Sequence, residues 1–192
     1  MTVVTAVLEA LSAPTGAEDT RTKDQRYHDG LQEAMRDITA LGGFTVLTLV
    51  TVVAAIAFLV HRKLRHAAVL VGTVLVAQAG SEFLKGLYGR PRPDLAPHGV
   101  YVYSASFPSG HSMLSAAVFL TLAMLVASLE TRLVTKALAF ATAIFVMTAV
   151  GLSRIYLAVH WPSDVLAGWC AGAGCALAAW AVLLNLEKRL AK

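Results

Sequence analysis

Three short stretches of the 192-residue chain gather side chains that can handle charge and protons. "KGLYGRPRPD", from Lys85 to Asp94, supplies Lys85, Arg90 and Arg92. "SFPSGHS", from Ser106 to Ser112, supplies Ser109, Gly110 and His111, and "SRIYLAVHWPSD", from Ser153 to Asp164, supplies Arg154, His160 and Asp164. Ser109 can cap a helix that begins after it. Gly110 lets another backbone or a ligand come close, and the first-turn N–H groups form a ready anion site at the positive end of the helix dipole. His111 lies in that first turn, within reach of an anion so held. Asp164 follows His160 by four residues. If the chain turns between them, the carboxylate accepts a hydrogen bond from one imidazole nitrogen, fixes the tautomer and leaves the other nitrogen free as a nucleophile.

Taken singly, each stretch has a plainer reading. Lys85 can snorkel with the arginines at lipid headgroups, His111 can sit in an ordinary capped helix start, and Asp164 can complement a helix dipole. The elements that carry these residues decide between the two readings. The chain is 57% hydrophobic and 15% charged with a mean hydropathy of +0.64, which points to a membrane. Uncharged runs at Gly42 to Val60, Ala67 to Ser81 (extendable to Leu84), Ser112 to Leu129, Ala137 to Ser153 and Val165 to Leu186 read as five membrane-spanning helices. The predicted fold class is therefore an all-α transmembrane bundle. Alternation of five spans puts the segments 61–66, 130–136 and 186–192 on one face, with 8 of the 16 Lys and Arg, and the positive-inside rule makes that face cytoplasmic. Residues 85–111 and 153–164 then share the other face of the cytoplasmic membrane. Lys85, Arg90, Arg92 and Arg154 oppose the sorting rule there, which favours chemistry.

Residues 1–39 are expected to form an N-terminal extracytoplasmic or interfacial segment, and residues 40–192 the catalytic transmembrane domain. The segment holds 4 basic and 7 acidic residues within residues 1–40. "PTGAEDTRTKDQRYHDG" reads as a loop, "TVVTAVLEALSA" as an interfacial or frayed helix, and "LQEAMRDITALGG" as an amphipathic lead-in to the first span. A tail with no earlier span must cross the membrane on its own, so a further helix ahead of it is an open expectation.

Together the three stretches resemble the motifs KxxxxxxRP, PSGH and SRxxxxxHxxxD of the type 2 phosphatidic acid phosphatase superfamily, integral membrane lipid phosphatases related in fold to vanadium haloperoxidases. Order and spacing match across roughly residues 40 to 188. The resemblance implies that His160 attacks phosphorus, Asp164 orients it and His111 protonates the leaving oxygen. It also implies that Lys85, Arg92, Ser109, Gly110 and Arg154 hold the phosphate oxygens. Arg90 falls outside the motif and receives no catalytic role, and the hydroxyl of Ser153 has no assigned chemistry. Family members commonly carry one span more than the five counted here.

The charge inventory agrees independently. A phosphate monoester or diphosphate carries about two or more negative charges, and its transfer needs mainly positioning and neutralisation. Three fixed cations and helix amides provide this with no metal and no cofactor. The reading is a phosphatase acting on a lipid phosphate or diphosphate at the extracytoplasmic face, with undecaprenyl diphosphate, phosphatidylglycerophosphate and phosphatidate as candidates and membrane lipids as neighbours. The alternatives are transfer of phosphate to another lipid, a metallohydrolase using His111, His160 and Asp164 as ligands, a haloperoxidase, and a small membrane transporter. Cys170 and Cys175 are spaced for neither a redox pair nor an intrahelical disulfide. "GWCAG", Gly168 to Gly172, packs within the bundle or mediates a homodimer. No interleaving of basic and aromatic residues suggests nucleic acid.

Overall fold

The computed structural model describes residues 3–94 and 104–190, so part of the loop after Asp94, including His98, lies outside the described residues. Helices follow in the order α1 (Val3–Leu11), α2 (Lys23–Ala40), α3 (Phe44–Val60), α4 (Leu64–Tyr88), α5 (Gly110–Leu129), α6 (Leu133–Tyr156) and α7 (Pro162–Leu190). Four of them, α4 to α7, are each long and apolar enough to cross a membrane, and α2 with α3, bent by 41°, makes a fifth candidate span. Alone, α3 has 17 residues, about 26 Å at 1.5 Å per residue, close to the thickness of a hydrocarbon core.

The axis of the bundle is α5. Over its most apolar window 56% of residues are buried, against 11% for α6, which faces outward along most of its length. Small side chains explain this position: Ser112, Ser115, Ala116, Ala117 and Ala123 on α5 let neighbouring backbones approach. The closest neighbour is α7. A Cβ at Gly168 would lie 2.8 Å from the Ser109 carbonyl oxygen, and one at Gly172 would lie 2.3 Å from the Met113 carbonyl oxygen. The GxxxG stripe is thus spent within the chain, directly beneath the start of α5. Leu47, Ala77, Met113, Leu114, Ala117 and Val118 form one core cluster, and Val69, Leu70, Leu125, Ala179 and Leu183 a second.

The N-terminal segment departs from expectation. The polar stretch read as a loop becomes helical at Lys23, because Thr22 and Gln25 form a capping box in which each side chain bonds the other's backbone N–H. The helix expected from Leu31 therefore starts two turns earlier. It ends at a Gly42–Gly43 break for a packing reason: a Cβ at Gly42 would lie 2.4 Å from Val150 Cγ1 and 3.3 Å from the His111 carbonyl oxygen. The bend sits against the start of α5 and the end of α6, which carry the second and third motifs. Cys170 is exposed and Cys175 half-buried, both as free thiols.

Candidate active site

Each motif is delivered by a helix end. α4 stops where Gly89 takes a left-handed φ of 55°, and Pro91 and Pro93 cannot continue it. Lys85 is thereby left in the last turn, where its Nζ lies 3.0 Å from Glu82 Oε1. Arg92, on the segment that follows, is held by three oxygen acceptors. Its Nε donates to the Ser104 carbonyl (3.1 Å), Nη2 to Ser104 Oγ (3.2 Å) and Nη1 to the Val159 carbonyl (2.8 Å).

α5 starts under Ser109, whose Oγ accepts from the Ser112 N–H (3.4 Å) and the Ser112 hydroxyl (3.0 Å). The Ser109 side chain is thus a helix cap that keeps its own hydroxyl proton to give away, and its backbone N–H ties α5 to the Asp164 carbonyl at 3.0 Å. Gly110 faces the Lys85 side chain: a Cβ there would lie 3.4 Å from Lys85 Nζ and 3.3 Å from Ser81 Oγ. The first-turn amides of Gly110 and His111 have no acceptor within an α-helix and point off its end.

α6 ends in a Schellman turn, with the Val159 N–H on the Arg154 carbonyl (3.3 Å) and the Ala158 N–H on the Ile155 carbonyl (3.0 Å). The left-handed position is filled by Ala158, φ 52°, where glycine is usual. This turn aims His160 back at the bundle. Arg154, in the last helical turn, is buried; its Nη1 donates to Thr39 Oγ1 (3.2 Å), while Nε has no hydrogen-bond partner among the described residues. Ser153 Oγ donates to the Val150 carbonyl (2.7 Å), a bond within its own helix, so its place in the motif is structural.

α7 begins with Pro162 in its first turn, as its sequence anticipates. Asp164, fully buried, accepts the Trp161 N–H on Oδ2 at 2.9 Å, which caps the helix as well as fixing the carboxylate. His160 is also buried, with Nδ1 3.5 Å from Asp164 Oδ2 and Nε2 3.2 Å from Arg92 Nη1. The second distance settles the tautomer. A guanidinium has only protons to offer, so Nε2 facing it must carry the lone pair, and the imidazole proton sits on Nδ1, toward Asp164. Burial first, and then the guanidiniums of Arg154 and Arg92, hold the His160 pKa well below the usual imidazole range, so the ring is neutral at pH 7.

The structure thus brings Lys85, Arg92, Ser109, Gly110, His111, Arg154, His160 and Asp164 to one end of the bundle, and the charges of Arg154, Lys85 and Arg92 all reach His111. Two residues that sequence reasoning passed over join them. Arg90 Nη1 donates to Asp164 Oδ1 (2.8 Å) and Ser163 Oγ (2.7 Å), with its guanidinium 5.5 Å from the centre of the Trp161 ring. Ser106, also fully buried, donates its hydroxyl proton to Asp164 Oδ2 and lies 3.4 Å from His160 Nδ1. Ser106 is marked in sequence only by lying two residues before the second motif, and Arg90 only by lying within the first and opposing the sorting rule. Among the described residues, no group of three or more His, Cys, Asp or Glu is placed to hold a metal ion. The groups that do converge are cations, amide protons and hydroxyls around one bare imidazole nitrogen, a set made for an anion with an electrophilic centre.

Comparison with known proteins agrees. The PAP2 superfamily pattern matches residues 66–188. Phosphatidylglycerophosphatase B of Bacillus subtilis is 35% identical over 143 residues, 74% of this chain and 70% of that protein. A lipid A 1-phosphatase of Rhizobium johnstonii is 33% identical over 110 residues, 53% of this chain and 41% of its own length. The crystal structure of a transmembrane PAP2 type phosphatidylglycerolphosphate phosphatase from Bacillus subtilis superimposes with a TM-score of 0.72 at 28% identity, covering 98% of this chain and 88% of that one. With motif-bearing helix ends, a family match over most of the bundle and a shared fold, the chain belongs to the PAP2 superfamily and is a membrane-spanning phosphatase, a hydrolase of phosphate esters.

Proposed function

We propose that the enzyme removes phosphate from a lipid phosphate or diphosphate at the extracytoplasmic membrane face, through a phosphohistidine formed on His160 and without a metal ion. The observation that carries this reading is the bare Nε2 of His160, 3.2 Å from Arg92 Nη1, with its proton held on the opposite nitrogen. A phosphoryl group on Lys85, Arg92, Arg154, the Ser109 hydroxyl and the Gly110 and His111 amides takes the Arg92 guanidinium for its own oxygen and exposes Nε2. The lone pair attacks phosphorus as the bond to the ester oxygen breaks, and His111 gives that oxygen its proton. Water then attacks the phosphohistidine, His111 takes the water's proton, and inorganic phosphate leaves with His160 restored. Three fixed cations balance the charge on the equatorial oxygens.

The site lies where the bundle ends, so a substrate anchored in the bilayer presents its phosphate at the right depth. The cytoplasmic assignment of the opposite end rests on its load of basic residues. Phosphatidylglycerophosphate heads the substrate panel because of the Bacillus relatives, with lipid A, undecaprenyl diphosphate and phosphatidate beside it. Residues 40–192 supply all of the proposed phosphate contacts and residues 1–39 form the interfacial segment, which reaches the site through Thr39.

The test is to trap the intermediate with p-nitrophenyl phosphate by acid quench and to map it after neutralisation and digestion. Wild type and His111→Ala should both carry phosphate on His160, longer-lived in His111→Ala, and His160→Ala should carry none. Activity should survive EDTA. An adduct on His111, or hydrolysis undiminished in His160→Ala, overturns the mechanism.

A further inference from the structure

We infer that Ser106 is a positioning residue: its hydroxyl links the His160 imidazole to Asp164, so that the orienting partner of the histidine is a serine and aspartate together. The inference rests on the proposal that His160 is the nucleophile. The direct contact from His160 Nδ1 to Asp164 Oδ2 is 3.5 Å, longer than the 2.7–3.2 Å of a good N–H···O bond. Ser106 Oγ lies beside both groups, 3.4 Å from Nδ1 and hydrogen-bonded to Oδ2, and its residue is fully buried.

Donor bookkeeping makes the direction of this chain unique. An ionised carboxylate only accepts, so the single hydroxyl proton of Ser106 goes to Asp164, and the serine lone pairs are left for the imidazole. Because Nε2 faces Arg92, the imidazole proton is on Nδ1, which meets those lone pairs. The path therefore runs from Nδ1–H to Oγ and from Oγ–H to Oδ2 without a clash of donors.

The serine is itself held in place. Its N–H donates to the Arg90 carbonyl at 2.8 Å, and the Arg90 side chain returns to Asp164 Oδ1 at 2.8 Å, closing a ring of Ser106, Arg90 and Asp164. Both contacts to Nδ1 are long while the ring is neutral. Phosphorylation at Nε2 makes the ring a cation, and its Nδ1 proton then draws toward the Oγ–Oδ2 pair, which stabilises the state that forms during attack. Loss of the hydroxyl should slow phosphoenzyme formation and leave phosphate binding alone.

The experiment is a double-mutant cycle on the rate of phosphoenzyme formation from p-nitrophenyl phosphate, with Ser106→Ala, Asp164→Asn and the pair, and with His160→Ala alongside. Ser106→Ala should slow formation by about 10- to 30-fold, with KM and vanadate inhibition within about twofold of wild type, since the groups proposed to hold phosphate are untouched. The double variant should be no slower than Asp164→Asn alone, within about twofold, because Ser106 acts through that carboxylate. Ser106→Cys, which keeps the shape with a weaker hydrogen-bonding group, should fall between Ser106→Ala and wild type, and it replaces Ser106→Ala in the cycle should the latter fail to fold. A Ser106→Ala rate within twofold of wild type, or two single effects that multiply in the double variant, overturns the inference. If His160→Ala is still phosphorylated, the nucleophile reading fails instead, whatever the cycle shows.

Discussion

The two walls of the site are built differently. On the α7 side, the carboxylate of Asp164 accepts hydrogen bonds from the Ser106 hydroxyl, the Trp161 N–H and the Arg90 guanidinium, and His160 is fixed between that carboxylate and Arg92. On the α4 and α6 side, buried Arg154 donates to Thr39 and, among the described residues, its Nε has no partner; Ser81 Oγ beside Gly110 is likewise buried without one among them. The contrast separates two requirements of the proposed reaction. A nucleophile needs its proton held on one nitrogen and its ring at one angle, and protein partners supply both in advance. An oxyanion cradle needs donors left over, because the incoming phosphate oxygens complete them, and those donors stay fixed while charge develops. Leaving a guanidinium buried and underbonded is costly in the empty enzyme, as function-bearing positions often are.

The largest effect that could break this contrast comes from one substitution on each wall. Arg154→Met should lower kcat/KM by about a thousandfold or more while leaving Tm in detergent unchanged or raised, because it removes a transition-state cation that the empty protein satisfies poorly. Asp164→Asn should lower activity and Tm together, with about 2–3 kcal/mol of stability lost as the bonds to Arg90, Ser106 and Trp161 are weakened. Equal losses of Tm in the two variants, measured by thermal melts, would erase the distinction.

A smaller effect is the pH dependence that His160 contributes. The His160 pKa in the folded protein lies below its unfolded value of about 6.5, so its contribution to stability is fully present above that pH and is lost as pH falls. Once the unfolded chain binds a proton that the folded chain does not, the loss is about 1.4 kcal/mol per pH unit. Between pH 7 and pH 5.5 the wild type should therefore lose about 1 kcal/mol more than His160→Gln, which shares every other titrating group. Melts of the two proteins that run parallel with pH would mean that His160 titrates in the folded protein as it does in the unfolded chain.

The smallest effect tests the turn that aims the histidine. Ala158 holds φ 52°, where a Cβ costs about 1–2 kcal/mol and glycine costs less, offset in part by the entropy glycine loses on folding. Ala158→Gly should raise stability by up to about 1 kcal/mol with kcat within about threefold of wild type. A fall in Tm would show that the Ala158 methyl contributes packing that outweighs the strain.

Helix starts and stops were largely legible in sequence, because they follow from local chemistry. Gly89 with Pro91 and Pro93 ends α4, Ser109 caps α5, and Pro162 opens α7. The exception was α2, where a capping box inside a polar stretch was hidden by its turn-rich composition. In the site, residue types that are rare in apolar surroundings announced themselves, as Lys85, Arg92, Arg154, His111, His160 and Asp164 did. Ser106 and Arg90 did not, since a serine before a proline turn and an arginine near a membrane surface each have ordinary readings.

The sequence by itself determined that this is a helical membrane protein, which of its ends gathers the candidate site residues, and which family of phosphatases it joins. Those properties follow from residue type, spacing and the alternation of spans, all of which are local or additive along the chain. Only the tertiary structure decided that Ser106 stands between His160 and Asp164, that Arg90 clamps the same carboxylate, and that the bend after α2 places Thr39 on Arg154. These contacts join residues 58, 74 and 115 positions apart in sequence, respectively for Ser106 to Asp164, Arg90 to Asp164 and Thr39 to Arg154. Neither periodicity nor charge sorting encodes such pairs. Helix packing encodes them, through Gly168 and Gly172 against α5 and Gly42 against α6, because only a missing Cβ lets those backbones come close enough for one hydroxyl or guanidinium to bridge them.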